Sequence, residues 1–273
     1  MWRTSFVSLL PSVKRRVLSG AAMLINAFSA ENLTLLSRNA SYRFRKALEG
    51  SPVPPARLIR LVAGGTDVDW YMQSGKLAVS SMLNVLKRHK VDFGDFQAVL
   101  DFGCGCGRVI QHWRTGSPTQ LYGCDYNPEL IRWASRNLPF ARFDVNSLSP
   151  ALPYSDGQFS FVYGLSVFTH LAESLQGPWM KELSRIVQPE GYLLVSVHGS
   201  HYLEIMNLDE QCEFRAGRIV VRESDDSGSN ICAAFHPEEY VREELAKEWE
   251  VVDFVPTGAT GNPYQDVYLM RKP

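Results

Sequence analysis

The chain has 273 residues, 45% of them hydrophobic, enough for one large core or two small ones. A net charge of −1 excludes a protein whose whole surface grips nucleic acid, and no sequence-specific nucleic-acid partner is expected. Five cysteines, an odd number without a secreted spacing pattern, read as reduced thiols of a cytoplasmic protein. Cys104 and Cys106 make half a zinc site whose second half is missing, so no metal is expected.

Residues 1–55 read as a basic helical N-terminal extension. The first 46 residues carry eight basic side chains against Glu31 alone. Val17 to Ala30 is an apolar run behind Lys14-Arg15-Arg16, shorter than a bilayer span and interrupted by Asn26 and serines. Three readings stay open for it: a helix packing on the domain or on a second copy in a homodimer, a secretory or organelle-targeting leader, and a basic helix resting on a membrane surface.

Ser51-Pro-Val-Pro-Pro55 breaks the helical pattern and opens a compact domain over 56–273. Leu58 to Ala63 and Gly75 to Lys90 read as helices, with Asp67 to Gly75 between them. From residue 98 strands and helices alternate. Strands are expected at 97–102, 120–124, 141–144, 159–163, 191–197, 249–255 and 265–271, and helices at 107–115, 128–137, 175–187 and 237–247. The expected fold is α/β: a Rossmann-like, seven-stranded, mainly parallel sheet with helices on both faces. Residues 200–234 interrupt the alternation. Glu213 to Arg222 and Ile231 to Phe235 suggest a hairpin joined by the polar Glu223 to Asn230, a lid over the site.

The most informative stretch is Asp101-Phe-Gly-Cys-Gly-Cys-Gly107, a strand feeding three alternating glycines. Gly103, Gly105 and Gly107 permit positive φ and remove the Cβ that would hold a ligand away. The G-x-G-x-G spacing differs from the dinucleotide fingerprint, whose last glycine falls one residue later. Asp101 beside the turn suits a ligand bearing an ammonium and a sulfonium better than a pyrophosphate. Asp125 ends the second strand, where a carboxylate can accept both hydroxyl hydrogens of a ribose. Tyr126 offers a ring face for a base, and the turn-initiating role of an Asp before Asn127-Pro128 is the alternative for Asp125.

Residues 101–107 resemble the first motif of class I S-adenosylmethionine-dependent methyltransferases. Gly164-Leu-Ser-Val-Phe-Thr-His-Leu171 resembles a motif of one small-molecule branch, and the likeness runs from about Leu58 to Pro273. The resemblance implies S-adenosyl-L-methionine as cofactor, contacted by Asp101, Gly103, Cys104, Gly105, Gly107, Asp125 and Tyr126. It further implies contacts from Asn146 and Ser147 after the third strand, the Leu165 backbone, and Tyr71 in the lead-in with Gly75. The family usually carries an acid where Asn146 stands and an Asp where Ser160 stands.

His170 is the foremost catalytic or orienting candidate, an imidazole titrating near neutrality. His198, ending the fifth strand, is a second candidate, while His236 reads as a helix cap. The base-modifying run of Asp/Asn-Pro-Pro-aromatic is missing after the fourth strand, as is a Pro-Cys dipeptide. The expected reaction is methyl transfer to an oxygen or nitrogen of a small molecule, sugar or lipid head group. An NAD(P)-dependent reductase and a non-catalytic adenosylmethionine-binding protein are the competing readings.

Overall fold

In the computed structural model the described residues are 30–49, 51–113, 118–262 and 264–273. The apolar run at 17–30, with its membrane, leader and dimer readings, lies almost wholly outside them. No described helix is long and apolar enough to cross a membrane.

The chain divides into two compact units, residues 1–53 with 67–69, and residues 54–66 with 70–273. The first contains helix α1, Ala30–Leu48. Its buried Asn39 accepts the Val68 N–H through Oδ1 at 3.0 Å, and Arg38 pairs with Asp67.

The second unit is built on nine strands: β1 (Ala98–Phe102), β2 (Gln120–Asp125), β3 (Ala141–Val145), β4 (Phe159–Leu165), β5 (Val187–His198), β6 (Val220–Arg222), β7 (Ala233–Phe235), β8 (Glu250–Val255) and β9 (Gln265–Arg271). One path through the sheet runs β3-β2-β1-β4-β5-β7-β6. Strand β9 also lies on β5, antiparallel, and β8 on β9. The seven strands expected from the alternation are all present, five of them parallel at the centre.

Side chains alternate between two cores because successive residues of a strand face opposite ways. Val99, Phe161, Tyr163, Leu194 and Leu269 face one core, with Met82 and Leu86 of helix α3 (Val68–Arg88). Leu100, Phe102, Val162 and Val195 face the other, with Trp179, Met180 and Leu183 of helix α5 (Glu173–Ile186). Burial on both faces explains why the strands are nearly continuous apolar runs. Helix α2 spans Ala56–Ala63 and ends at Gly64, φ 70°. Helix α4 (Pro128–Asn137) starts with Asn127 accepting the Glu129 N–H at 3.0 Å and Pro128 at its first position.

Four expectations are corrected. Among the described residues 107–113 there is no α-helix, only a 3₁₀ turn, Ile110–His112. Gly107 is left-handed at φ 82°, and Gly116 and Pro118 follow within a few residues, leaving little room for a regular helix. Helix α3 begins at Val68, so the segment read as a connection is its first two turns. The long hairpin strand at 213–222 shrinks to β6, because helix α6 (Leu208–Arg215) takes up its first three residues. Asn207 and Glu210 form a capping box that starts this helix, a local signal that outweighs the β-rich sequence beyond it. The last helix is one α-turn, α7 (Glu238–Tyr240), continued by a wider π-turn over Val241–Leu245.

Candidate active site

Strand β1 ends at Phe102 and the chain turns through Gly103, Gly105 and Gly107, all at positive φ. A Cβ on Gly103 would come within 2.4 Å of Val167 Cγ2, and one on Gly105 within 2.7 Å of Val62 Cγ2. The turn is tied to the end of β2. Gly103 and Cys104 both donate their N–H groups to the Cys124 carbonyl at 2.9 Å, and Gly105 donates to Asp125 Oδ2 at 2.9 Å. Asp125 Oδ1 accepts the Asn127 N–H at 2.8 Å, so the carboxylate is held at both oxygens. Each oxygen keeps a second lone pair for a ligand.

Above the ends of β1, β2, β3, β4 and β9 lies a cavity of about 690 Å³. This is where ligands sit in open α/β sheets, at the carboxyl ends of the parallel strands. Asp101, Gly103, Cys104, Gly105, Asp125 and Tyr126 line it, as do Asn146, Ser147, Leu165 and His170. Three expected residues do not. Gly107 packs against Leu138, and its missing Cβ relieves a contact of 2.3 Å there. Tyr71 is fully buried with its hydroxyl 3.1 Å from Cys106 Sγ. His198 packs with tilted rings against Tyr202, at 4.2 Å between ring centres, and Phe235, at 5.4 Å. Gly75 likewise serves packing: a Cβ there would meet the Arg108 carbonyl at 2.0 Å. Among the described residues no cluster of potential metal ligands occurs.

Asp101 is buried, and its Oδ2 has no hydrogen-bond partner. Burial raises its carboxyl to about 7, opposed by the Tyr163 hydroxyl and the Arg108 charge. Tyr163 is the cross-strand partner of Asp101 in the β1–β4 pairing, and its hydroxyl in turn accepts Trp113 Nε1–H at 2.9 Å. Burial also raises Asp125 above the ordinary carboxylate range. Two buried carboxyls in one cleft, one with an unanswered oxygen, call for a hydrogen-bonding, cationic ligand.

The histidines separate clearly. His170 lies in the 3₁₀ turn after β4, where Nδ1 meets the Cys232 carbonyl at 2.8 Å. As the carbonyl only accepts, Nδ1 carries the proton and Nε2 keeps a lone pair. Burial lowers the pKa of His170, which keeps the ring neutral at pH 7. His198 is pushed down to about 4 by burial and then by His170, and its ring bonds the Ala234 backbone. His236, pushed to about 3 by burial, bonds Gln176 Oε1 through Nε2 at 2.8 Å, a core contact rather than a cap.

The sequence did not single out several residues of the cleft. Ser166 follows Leu165 with φ 64°, a left-handed conformation unusual for serine. It closes a ring of hydrogen bonds: Ser166 N–H to Ser196 Oγ (2.9 Å), Ser196 Oγ–H to Gln265 Oε1 (2.7 Å), and Gln265 Nε2–H to Ser166 Oγ (2.8 Å). Buried Arg108 donates to Ser74 Oγ, the Gly261 carbonyl and Asn262 Oδ1 at 3.2, 3.3 and 2.7 Å. The loop before β7 crosses the cleft: Gly228 N–H bonds the His170 carbonyl at 2.6 Å, and Asn230 Nδ2 bonds the Leu61 carbonyl at 3.0 Å. These residues come from seven places in the chain, and tertiary features such as β9's register on β5 and the loop's path bring them together.

Residues 100–195 match the family model described as a methyltransferase domain. The fold is shared with a methyltransferase from Methanosarcina mazei described as S-adenosylmethionine-dependent, at 21% identity over 68% of this chain and 96% of that one, TM-score 0.50. It is also shared with a Burkholderia thailandensis 1,6-didemethyltoxoflavin-N1-methyltransferase, solved with 1,6-didemethyltoxoflavin and S-adenosylhomocysteine. That likeness has 18% identity over 81% of this chain and 92% of the other, TM-score 0.52. An S-adenosylmethionine-dependent methyltransferase from Mesorhizobium loti is similar at 12% identity over 72% and 100%, TM-score 0.54. The matched segment holds the glycine turn, Asp125 and the ends of β3 and β4, so the part of this chain that matches a methyltransferase domain is the part that builds the cavity, on a fold shared with these methyltransferases.

Proposed function

We propose that the enzyme transfers a methyl group to an oxygen or nitrogen atom of a small molecule, sugar or lipid head group, with Asp101 and Asp125 as the principal cofactor ligands. One observation carries this reading: two buried carboxyls flank a glycine turn in a single cavity, and one oxygen, Asp101 Oδ2, is unpartnered. That donor set fits the cofactor. An ammonium group answers the unpartnered carboxyl, and ribose hydroxyls answer the free lone pairs of Asp125. Tyr126, beside Asp125 and 41% exposed, supplies a ring face for adenine, with Asn146 and Ser147 at its edge.

Bound there, S-adenosylmethionine supplies an electrophilic methyl group whose bonding pair leaves with sulfur. The protein's own part is placement and exclusion of water. Residues 200–234 act as the lid, since the segment at 228–231 spans from His170 to Leu61 across the cleft. His170 Nε2 takes the proton of a hydroxyl acceptor, its tautomer held by the Cys232 carbonyl. His198 is assigned a supporting place, tying β5 to the Ala234 backbone. Calorimetry with S-adenosylhomocysteine tests the reading: saturable micromolar binding supports it, and binding of NADPH in its place overturns it.

A further inference from the structure

We propose that the acceptor is a flat aromatic compound bearing a hydroxyl group and no cationic amine, held by Trp70, Tyr202 and Tyr264 and methylated on oxygen. The inference rests on the cofactor reading above and concerns the other half of the same cavity.

Strand order divides the cleft. The glycine turn, Asp125 and Asn146 occupy the β1, β2 and β3 side, which the cofactor takes. The remaining wall belongs to the ends of β4, β5 and β9. It carries Ser166, His170, Tyr202, Asn262, Tyr264 and Gln265. Trp70 joins this side through helix α3, one turn before Ser74, whose hydroxyl and carbonyl adjoin Arg108 and Gly261.

The chemistry of this wall is selective. Asp101 and Asp125 are the only carboxylates among the described residues lining the cavity, and both lie on the cofactor side. An alkylammonium acceptor would enter charged, with no acid to hold it and a lost hydration shell to replace. The flat faces, by contrast, are abundant. Trp70 is 42% exposed and Tyr264 57% exposed while lining the cavity, and Tyr264 is already stacked on His201 at 4.2 Å and 14°. Ile231 and Leu61, both exposed, extend the apolar rim. The polar groups are the amides of Asn262 and Gln265, the hydroxyls of Ser166, Tyr202 and Tyr264, and the His170 imidazole. Gln265 and Ser166 are committed to each other, and Arg108 to Ser74, Gly261 and Asn262, which leaves exposed Arg60, beside Leu61, as the other cation among the described residues lining the cavity.

The base narrows the hydroxyl. His170 is neutral and desolvated, hence a weak base; its Nδ1 is taken by the Cys232 carbonyl, and its ring meets the His198 ring edge-on at 6.4 Å between centres. A phenolic hydroxyl, near 10 as in tyrosine, is about six units more acidic than an alcohol or water and within reach of such a base. In the step, the phenol O–H proton passes to His170 Nε2 and an oxygen lone pair forms the new O–CH₃ bond. The S–CH₃ pair remains on sulfur, giving S-adenosylhomocysteine, the aryl methyl ether and a protonated His170 that releases its proton to solvent.

The test uses the full chain loaded with S-adenosylhomocysteine, whose own binding is measured first. Catechol and quercetin are then titrated calorimetrically, with phenethylamine and glucose as the ammonium and aliphatic-hydroxyl probes. The expected result is saturable binding of at least one phenol, about tenfold weaker in Trp70→Leu and retained in Trp70→Phe. With S-adenosylmethionine carrying a deuterated methyl group, mass spectrometry then finds the label on a phenolic oxygen. Binding or methylation of phenethylamine or glucose in preference to both phenols overturns the proposal, as does binding of neither phenol to the loaded protein. Failure of S-adenosylhomocysteine itself to bind overturns the cofactor reading instead.

Discussion

The backbone N–H of Gly105 donates to Asp125 Oδ2 at 2.9 Å across a sequence separation of twenty residues. One hydrogen bond thus joins the turn after β1 to the end of β2 and sets the spacing between two ligand-facing groups. Because the same carboxylate also takes the Asn127 N–H, its orientation is fixed before any ligand arrives. Preorganisation of this kind spares a ligand the cost of ordering its own site.

Asp125→Ala removes the proposed ribose acceptor and strands the Gly105 and Asn127 N–H donors. The expected loss is about tenfold to a hundredfold in S-adenosylhomocysteine affinity, equivalent to roughly 1.5–3 kcal/mol. Calorimetry measures the first effect and thermal melting the accompanying destabilisation. An unchanged affinity would remove Asp125 from the site.

Gly105→Ala faces two penalties, a φ of 57° and a Cβ 2.7 Å from Val62 Cγ2. It is expected to cost about 1–3 kcal/mol in denaturant unfolding. Adding Val62→Ala relieves the contact but leaves the backbone conformation, so the double variant recovers only part of the loss. Full recovery would show that φ is unimportant here.

Asp101 has a definite pH signature. Its carboxyl rises from 3.8 to about 7 on burial, so the folded protein binds a proton that the unfolded chain has released between those values. Its contribution to stability is therefore complete below pH 4 and is lost as pH rises through 7, by on the order of 4 kcal/mol. Asp101→Asn is expected to flatten this decline in unfolding measured from pH 5 to pH 8. Binding of a cationic ligand restores the ionised form, so at pH 6 the wild type releases a proton on binding S-adenosylhomocysteine and Asp101→Asn does not. Calorimetry in buffers of differing ionisation enthalpy counts that proton.

His170→Gln and His198→Gln distinguish the two imidazoles. The first is expected to lower kcat about a hundredfold or more while leaving S-adenosylhomocysteine affinity near wild type. The second reaches no cavity surface and is expected to lower the melting temperature with little change in kcat. The reverse ranking would transfer the base to His198.

The glycine turn, Asp125 and the alternation from Ala98 to Arg271 were legible in the sequence because each depends on neighbours in the chain. Glycine spacing declares backbone conformation, and apolar runs declare strands buried on both faces. His170 was legible for the same reason, sitting in a short motif at the end of a strand. Capping was the local signal that should have ended the expected strand earlier: Asn207 and Glu210, three residues apart, start α6.

Sequence by itself determined the turn chemistry, the strand series and the charge of the ligand-facing groups, since these follow from residue type and near-neighbour spacing. Tertiary structure alone decided which candidates meet. It sent Tyr71 and His198 into packing contacts, faced Tyr163 onto Asp101, and drew Trp70, Tyr202 and Tyr264 to one cavity. The physical reason is that side-chain destination depends on strand register and loop path. Both are set by the burial of distant apolar surface, to which a local motif contributes nothing.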